Sequence, residues 1–157
     1  IRKLALGLAD AHEQNVVHRD LKPANIMVGA FEEVQVMDWG LGKDLSAGEE
    51  AERRDATPVM VGSTNTLVGT VFGTLAYMSP EQAHGAVDRI DKRSDVFSLG
   101  AILCEVLTGE RLYEADAADL HDQAKLADLG AAIKRIESSK ADPAIVGLAK
   151  HCNTGPP

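Results

Sequence analysis

The chain has 157 residues, enough for one globular domain and short for two. With 16 basic and 24 acidic side chains it carries a net charge of −8, which excludes nucleic-acid binding through a basic face. Apolar residues at 45% and charged residues at 25% exclude wholesale disorder, and aromatics at 4% leave the core to Leu, Val, Ile and Ala. Cys104 and Cys152 form neither a metal spacing nor a disulfide framework, so a reducing, cytoplasmic setting is expected. No apolar run reaches the ~18 residues of a membrane span. The opening residues, from Ile1, read as mid-helix, which points to a piece of a longer protein.

In residues 1–14, Ile1, Leu4, Ala5, Leu8 and Ala11 share one face at helical spacing, which predicts an amphipathic helix. The polar cluster His18-Arg19-Asp20 follows. Two short apolar runs, Ile26-Met27-Val28 and Val34-Gln35-Val36-Met37, flank Gly29–Glu33 and predict a small antiparallel hairpin. Residues 43–69 turn polar and read as a long loop, its acidic stretch 49–55 a solvated one. Residues 94–109 are apolar on nearly every face, through Val96, Phe97, Leu99, Ile102, Leu103, Val106 and Leu107, and predict a buried helix. Ser94 or Asp95 is the expected cap and Gly109 the expected stop. Weaker helical patterns cover about 116–128, 131–137 and 143–152, the last opened by Asp142-Pro143. The tail Asn153-Thr154-Gly155-Pro156-Pro157 reads as helix-breaking. The fold class is α+β, mostly α, with one small hairpin. Cys104 reads as a packed core thiol, and His12, His84, His121 and His151 show no ligand spacing and read as surface or turn residues.

The chemistry concentrates in His18-Arg19-Asp20-Leu21-Lys22-Pro23-Ala24-Asn25. Antiparallel pairing sets the start of the first hairpin strand beside the end of the second. Asn25 therefore meets Asp38, with Asp20 and Lys22 on the adjoining loop. Hard oxygen donors without cysteine suit Mg²⁺ rather than Zn²⁺.

These residues carry a family resemblance. His18 to Asn25 resembles the H-R-D-L-x-x-x-N catalytic loop of protein kinases at every specified position. Asp38-Trp39-Gly40 is similar to their D-F-G and Ser79-Pro80-Glu81 to their A-P-E, in the same order. The style of Val36–Leu41 and Tyr77–Ala83 resembles bacterial Ser/Thr kinases. The resemblance covers essentially all of residues 1–157 and implies a kinase C-terminal lobe without its N-terminal lobe. It implies a catalytic loop at 18–25, a metal-binding Asp-Trp-Gly at 38–40, an activation segment over 38–81 and a central helix over about 94–109.

By the same resemblance Asp20 is the catalytic base and Lys22 the lysine that steadies the transferred phosphoryl group. Asn25 and Asp38 are the Mg²⁺ ligands, and Thr74 bonds the base and the lysine. Asp95 holds the catalytic-loop backbone, and His18 and Trp39 belong to the hydrophobic column between lobes. Arg19 faces a phosphate on the activation segment, with Thr70 its expected carrier and Thr64 and Thr66 the second choices. ATP and Mg²⁺ are the implied cofactors, and Ser/Thr side chains of proteins the implied substrates.

The chain departs from the family pattern in places. Trp39 replaces Phe and brings an N–H that needs a partner. No glycine-rich loop and no V-A-I-K lysine occur in these residues, and the arginine expected to pair with Glu81 is missing. Two functions stay open on the sequence: ATP-dependent phosphorylation of Ser/Thr residues by the parent protein, or a catalytically inactive kinase-like scaffold. The retained Asp20, Asn25 and Asp38 favour the first. Any membrane segment of the parent lies outside this stretch.

Overall fold

The opening amphipathic pattern folds as helix α1 (Arg2–Glu13), which buries Leu4 and Leu8 and leaves Ile1 exposed. The computed structural model describes residues 1–46, 74–114 and 117–154. After α1 comes strand β1 (Val16–Val17), then a 3-10 turn over Pro23–Asn25. Strands β2 (Ile26–Val28) and β3 (Val34–Val36) form the expected antiparallel hairpin, with Ile26 opposite Val36 and Val28 opposite Val34. Its turn closes through Gly29 N–H to Glu33 O at 2.9 Å.

Lys43–Asp44 departs from the loop expected there. It forms strand β4, antiparallel to β1, with Val17 opposite Lys43 and Leu45 N–H donating to Asn15 O at 2.8 Å. Two residues carry no readable period, so the pairing is set by the β1 backbone and not by any pattern in residues 43–44.

Helices α2 (Pro80–Ala83), α3 (Lys92–Thr108), α4 (Ala117–Leu126), α5 (Gly130–Ser138) and α6 (Pro143–Thr154) complete the order. Helix α3 is the centre of the core. It packs on α6, α5, α1 and β1. Phe97, Ile102, Leu103 and Cys104 are buried, whereas Val96 and Val106 are exposed. The helix is therefore not dry all round: it is open to solvent at Val96 near its start and at Val106 near its end. Burial pushes the Cys104 thiol up, as fits a core thiol and not a reactive one.

The cap of α3 also differs from expectation. Asp91, not Ser94 or Asp95, caps it by accepting from Arg93 N–H at 2.7 Å. Ser94 and Asp95 lie inside the first turn, which frees the Asp95 carboxylate for use elsewhere. Gly109 ends the helix in the left-handed conformation at φ 77°, as expected.

Asp142 caps α6 through Ala144 N–H at 2.8 Å, with Pro143 following as the sequence implies. That helix continues through Asn153 and Thr154, beyond the expected break. Their side chains donate to the carbonyls of Ala149 and Lys150 at 3.0 and 2.9 Å, which lets polar residues sit in a last helical turn. Gly100 is where α3 and α6 approach most tightly: a Cβ there would meet Cys152 Cβ and Asn153 Oδ1 at 2.7 Å.

Leu103 is 3% exposed and Val106 67% exposed on the same helix, which separates packing from propensity. We expect Leu103→Ala to cost about 2–5 kcal/mol in a urea melt and Val106→Ala less than about 0.5 kcal/mol.

Candidate active site

The loop after β1 turns sharply because Asp95 reaches it from α3. The Asp95 carboxylate is 1% exposed and accepts three hydrogen bonds. Oδ2 takes His18 N–H at 2.8 Å and Oδ1 takes Arg19 N–H at 2.9 Å. The third donor is His12 Nε2 at 2.8 Å. His12 is thus no mere surface residue. A lone histidine at the end of an amphipathic helix gives no sequence signal for this contact, because its partner lies 83 positions away.

His18 is fully buried and ties the loop to the hairpin end. It donates through Nε2 to Met37 O at 2.9 Å and accepts at Nδ1 from Asp20 N–H at 3.2 Å. Arg19 sits at φ 67°, a left-handed conformation costly for a non-glycine residue, on the order of 1–3 kcal/mol. Its Nε donates to the Leu41 carbonyl. Together these contacts fix the backbone from which Asp20 projects.

Asp20, Lys22, Asn25 and Thr74 form one hydrogen-bonded group. Asp20 Oδ2 accepts from Lys22 Nζ at 2.7 Å and from Asn25 Nδ2 at 3.2 Å. Asn25 Nδ2 also donates to Asp20 O at 2.8 Å. Lys22 Nζ reaches Thr74 Oγ1 at 2.9 Å, which brings a residue 52 positions away onto the loop. The other carboxylate oxygen, Asp20 Oδ1, is buried and has no hydrogen-bond partner among the described residues. Such an acceptor is costly unless something donates to it. It adjoins a small cavity lined by Asp20, Thr74, Tyr77 and Gln82, among others.

Hairpin pairing sets Met37 opposite Asn25, with Met37 N–H donating to Asn25 O at 2.8 Å, and Asp38 is the next residue along the chain. Asp38 adopts φ 58° and opens the 3-10 turn Trp39–Leu41. Its side chain is exposed, and no hydrogen bond joins it to Asp20, Lys22 or Asn25 among the described residues. The Trp39 indole finds the partner its N–H requires in Val36 O at 3.1 Å, and its ring meets His18 edge-on at 4.7 Å. A side chain at Gly40 would crowd Asp38 Oδ1, its Cβ falling 3.2 Å away.

The segment from Thr74 to Ser79 is moored to α3. Tyr77 donates through its hydroxyl to Glu105 Oε2 at 2.5 Å, and burial with this neighbouring carboxylate holds the phenol well above its ordinary range. Ser98 Oγ donates to Tyr77 O at 2.8 Å. Glu81 takes a hydrogen bond from the Ser94 hydroxyl. Thr64, Thr66 and Thr70 lie outside the described residues.

The donor set tests for a cation. Among the described residues no three His, Cys, Asp or Glu side chains converge on a metal. Asn25 spends its nitrogen on Asp20, and its Oδ1 has no hydrogen-bond partner among the described residues. The Asn25 carboxamide oxygen and the exposed Asp38 carboxylate are hard oxygen donors, the kind Mg²⁺ takes while keeping several of its own ligands.

A left-handed loop pinned by a helix aspartate, a carboxylate–lysine–carboxamide group and an aspartate after a hairpin define the class. Residues 1–153 match the family model for the protein kinase domain, and the chain belongs to that family. It is 42% identical over 107 residues to the serine/threonine-protein kinase PknB of Mycobacterium tuberculosis, covering 68% of this chain and 15% of that protein. It is 43% identical over 104 residues to the serine/threonine-protein kinase PknD of Protochlamydia amoebophila, covering 65% of this chain and 10% of that protein. With the serine/threonine-protein kinase pkn3 of Myxococcus xanthus it shares 38% identity over 122 residues, 75% of this chain and 20% of that protein. The chain therefore spans a small part of each relative's own length. Among the described residues no helix is long and apolar enough to cross a membrane.

His12 gives a direct check on the loop anchor. Removing a side-chain hydrogen bond to a buried carboxylate costs about 1–3 kcal/mol. We expect His12→Ala to lose that much in a urea melt and His84→Ala, at an exposed position, to lose almost nothing.

Proposed function

We propose that the parent protein transfers phosphate from ATP to Ser/Thr side chains of proteins, and that this chain supplies its C-terminal lobe. The observation that carries the reading is the asymmetry of the Asp20 carboxylate. Lys22 and Asn25 saturate one oxygen, and the other is a buried acceptor without a donor among the described residues. An incoming hydroxyl is the kind of donor that would complete it.

Asp20 then orients that hydroxyl and accepts its proton. Lys22, held between Asp20 and Thr74, offsets charge on the transferring group. Asn25 and Asp38 would hold Mg²⁺, which would supply positive charge beside the nucleotide phosphates. Thr74 and the moored Tyr77 segment form the platform beside Asp20 on which a protein substrate rests. Positioning and electrostatics do the work, since no covalent step on the protein is required. His18 and Trp39, meeting edge-on, form the lower end of the column that couples this lobe to the nucleotide-binding one.

Arg19 is the proposed partner of a phosphate on Thr70 in the activation segment. The Leu41 carbonyl it meets lies in that same segment, a few residues after Asp38. The alternative, an inactive scaffold, is disfavoured because Asp20, Lys22 and Asn25 keep a mutually bonded arrangement that binding alone does not need.

The test uses the parent protein. Asp20→Asn keeps shape and loses the proton acceptor, so it should abolish turnover with Mg–ATP affinity retained. Asp38→Asn should weaken Mg–ATP binding as well. Near-normal turnover in Asp20→Asn would remove Asp20 from the role of base. Mass spectrometry of the same active protein reads the phosphate expected at Thr70.

A further inference from the structure

Arg19 stands in a left-handed conformation immediately before Asp20, at φ 67°. Its two flanking peptide groups must therefore be held, or the loop relaxes and Asp20 swings away. Asp95 Oδ1 holds the first through Arg19 N–H at 2.9 Å. The second peptide, which joins Arg19 O to Asp20 N–H, is held at its N–H by His18 Nδ1 at 3.2 Å and at its carbonyl from another element. Gln82 Nε2, on α2, donates to Arg19 O at 2.6 Å across 63 positions of sequence.

The same carboxamide is committed at its other end. Gln82 Oε1 accepts from Ser79 Oγ at 3.0 Å and lies 3.3 Å from Ser79 N, folding back over the start of α2. Gln82 is thus fixed by the helix start and delivers its N–H₂ to one carbonyl. Ser79 is fully buried, so this end of the bridge is rigid. A carboxamide suits both ends, an acceptor toward Ser79 and a donor toward Arg19.

We propose that Gln82 is a positioning residue for the catalytic base. It clamps the carbonyl side of the strained Arg19, as Asp95 clamps the amide side, and so couples the end of the activation segment to the aim of Asp20. The inference rests on the kinase reading above. Displacement of a base by a fraction of an ångström is costly in rate, because near-attack geometry is what such a site provides. Loss of the clamp should appear in kcat, since Gln82 orients the base and its hydrogen bonds go to Ser79 and Arg19.

Two variants separate the clamp from the cap. Gln82→Glu keeps an acceptor for Ser79, and glutamate suits that capping position, yet it has no donor for Arg19 O. Gln82→Met loses both contacts. In the parent protein we expect Gln82→Glu to lower kcat about 10–100-fold with KM for a protein substrate unchanged and with the urea midpoint of wild type. Gln82→Met should show a similar kcat loss and a lower midpoint. In the same samples, hydrogen exchange at the Asp20 amide should run about fivefold to tenfold faster in Gln82→Glu, the worth of one hydrogen bond.

Wild-type kcat and wild-type Asp20 exchange in Gln82→Glu would overturn the inference. So would a loss of kcat in Gln82→Glu that merely follows a fallen midpoint, since Gln82 would then be a cap alone. If the wild-type parent transfers no phosphate, the kinase reading fails, and the Asp20 exchange rate by itself decides whether Gln82 holds the loop.

Discussion

The buried carboxylate of Asp95 is the contact on which the site depends. A charge taken out of water must be matched by donors, or its burial costs several kcal/mol. Here the donors are two successive backbone N–H groups, His18 and Arg19, and one histidine from α1. The requirement runs both ways. The carboxylate cannot stay buried in α3 unless the loop comes to it, and the loop cannot hold a left-handed Arg19 without the carboxylate. Core helix and catalytic-type loop are in this sense one structural unit.

The remaining geometry follows from that anchoring. With His18 fixed, its ring reaches Met37 O and meets Trp39, which sets the end of the hairpin and with it Asp38. With Arg19 fixed, Asp20 projects toward Lys22, Asn25 and the small cavity under Thr74. Tyr77, Ser98 and Glu105 bring the Thr74 segment down onto the same helix that supplies Asp95. The proposed base, lysine and platform are therefore referenced to a single rigid element, α3, although they come from loops far apart in sequence.

What the sequence disclosed and what it hid divide along physical lines. The hairpin, the helix beginning at Asp142-Pro143 and the stop at Gly109 were legible because period, caps and a left-handed glycine are local signals. The grouping of Asp20, Lys22, Asn25 and Thr74 was legible because the resemblance quoted those residues in order. The β1–β4 pair was not legible, since two residues carry no period. The exposure of Val96 and Val106 was hidden because an apolar residue type does not say which neighbour covers it. The N-cap of α3 lies one turn before the expected one because Ser94, Asp95 and Asp91 are all good capping residues, and tertiary use of Asp95 decided among them. His12 and Gln82 were missed for the same reason: each acts on a partner more than sixty positions away.

Amide hydrogen exchange in Asp95→Asn tests the account most directly. Asparagine keeps the volume of Asp95 but is neutral and has a single acceptor oxygen, so it cannot serve His18 N–H, Arg19 N–H and His12 together. Anchoring by the carboxylate predicts that the His18 and Arg19 amides exchange much faster in the variant, with the amides around Leu103 in the middle of α3 still protected. Unchanged exchange at His18 and Arg19, with α3 intact, would contradict it and would mean that the loop holds its shape without Asp95.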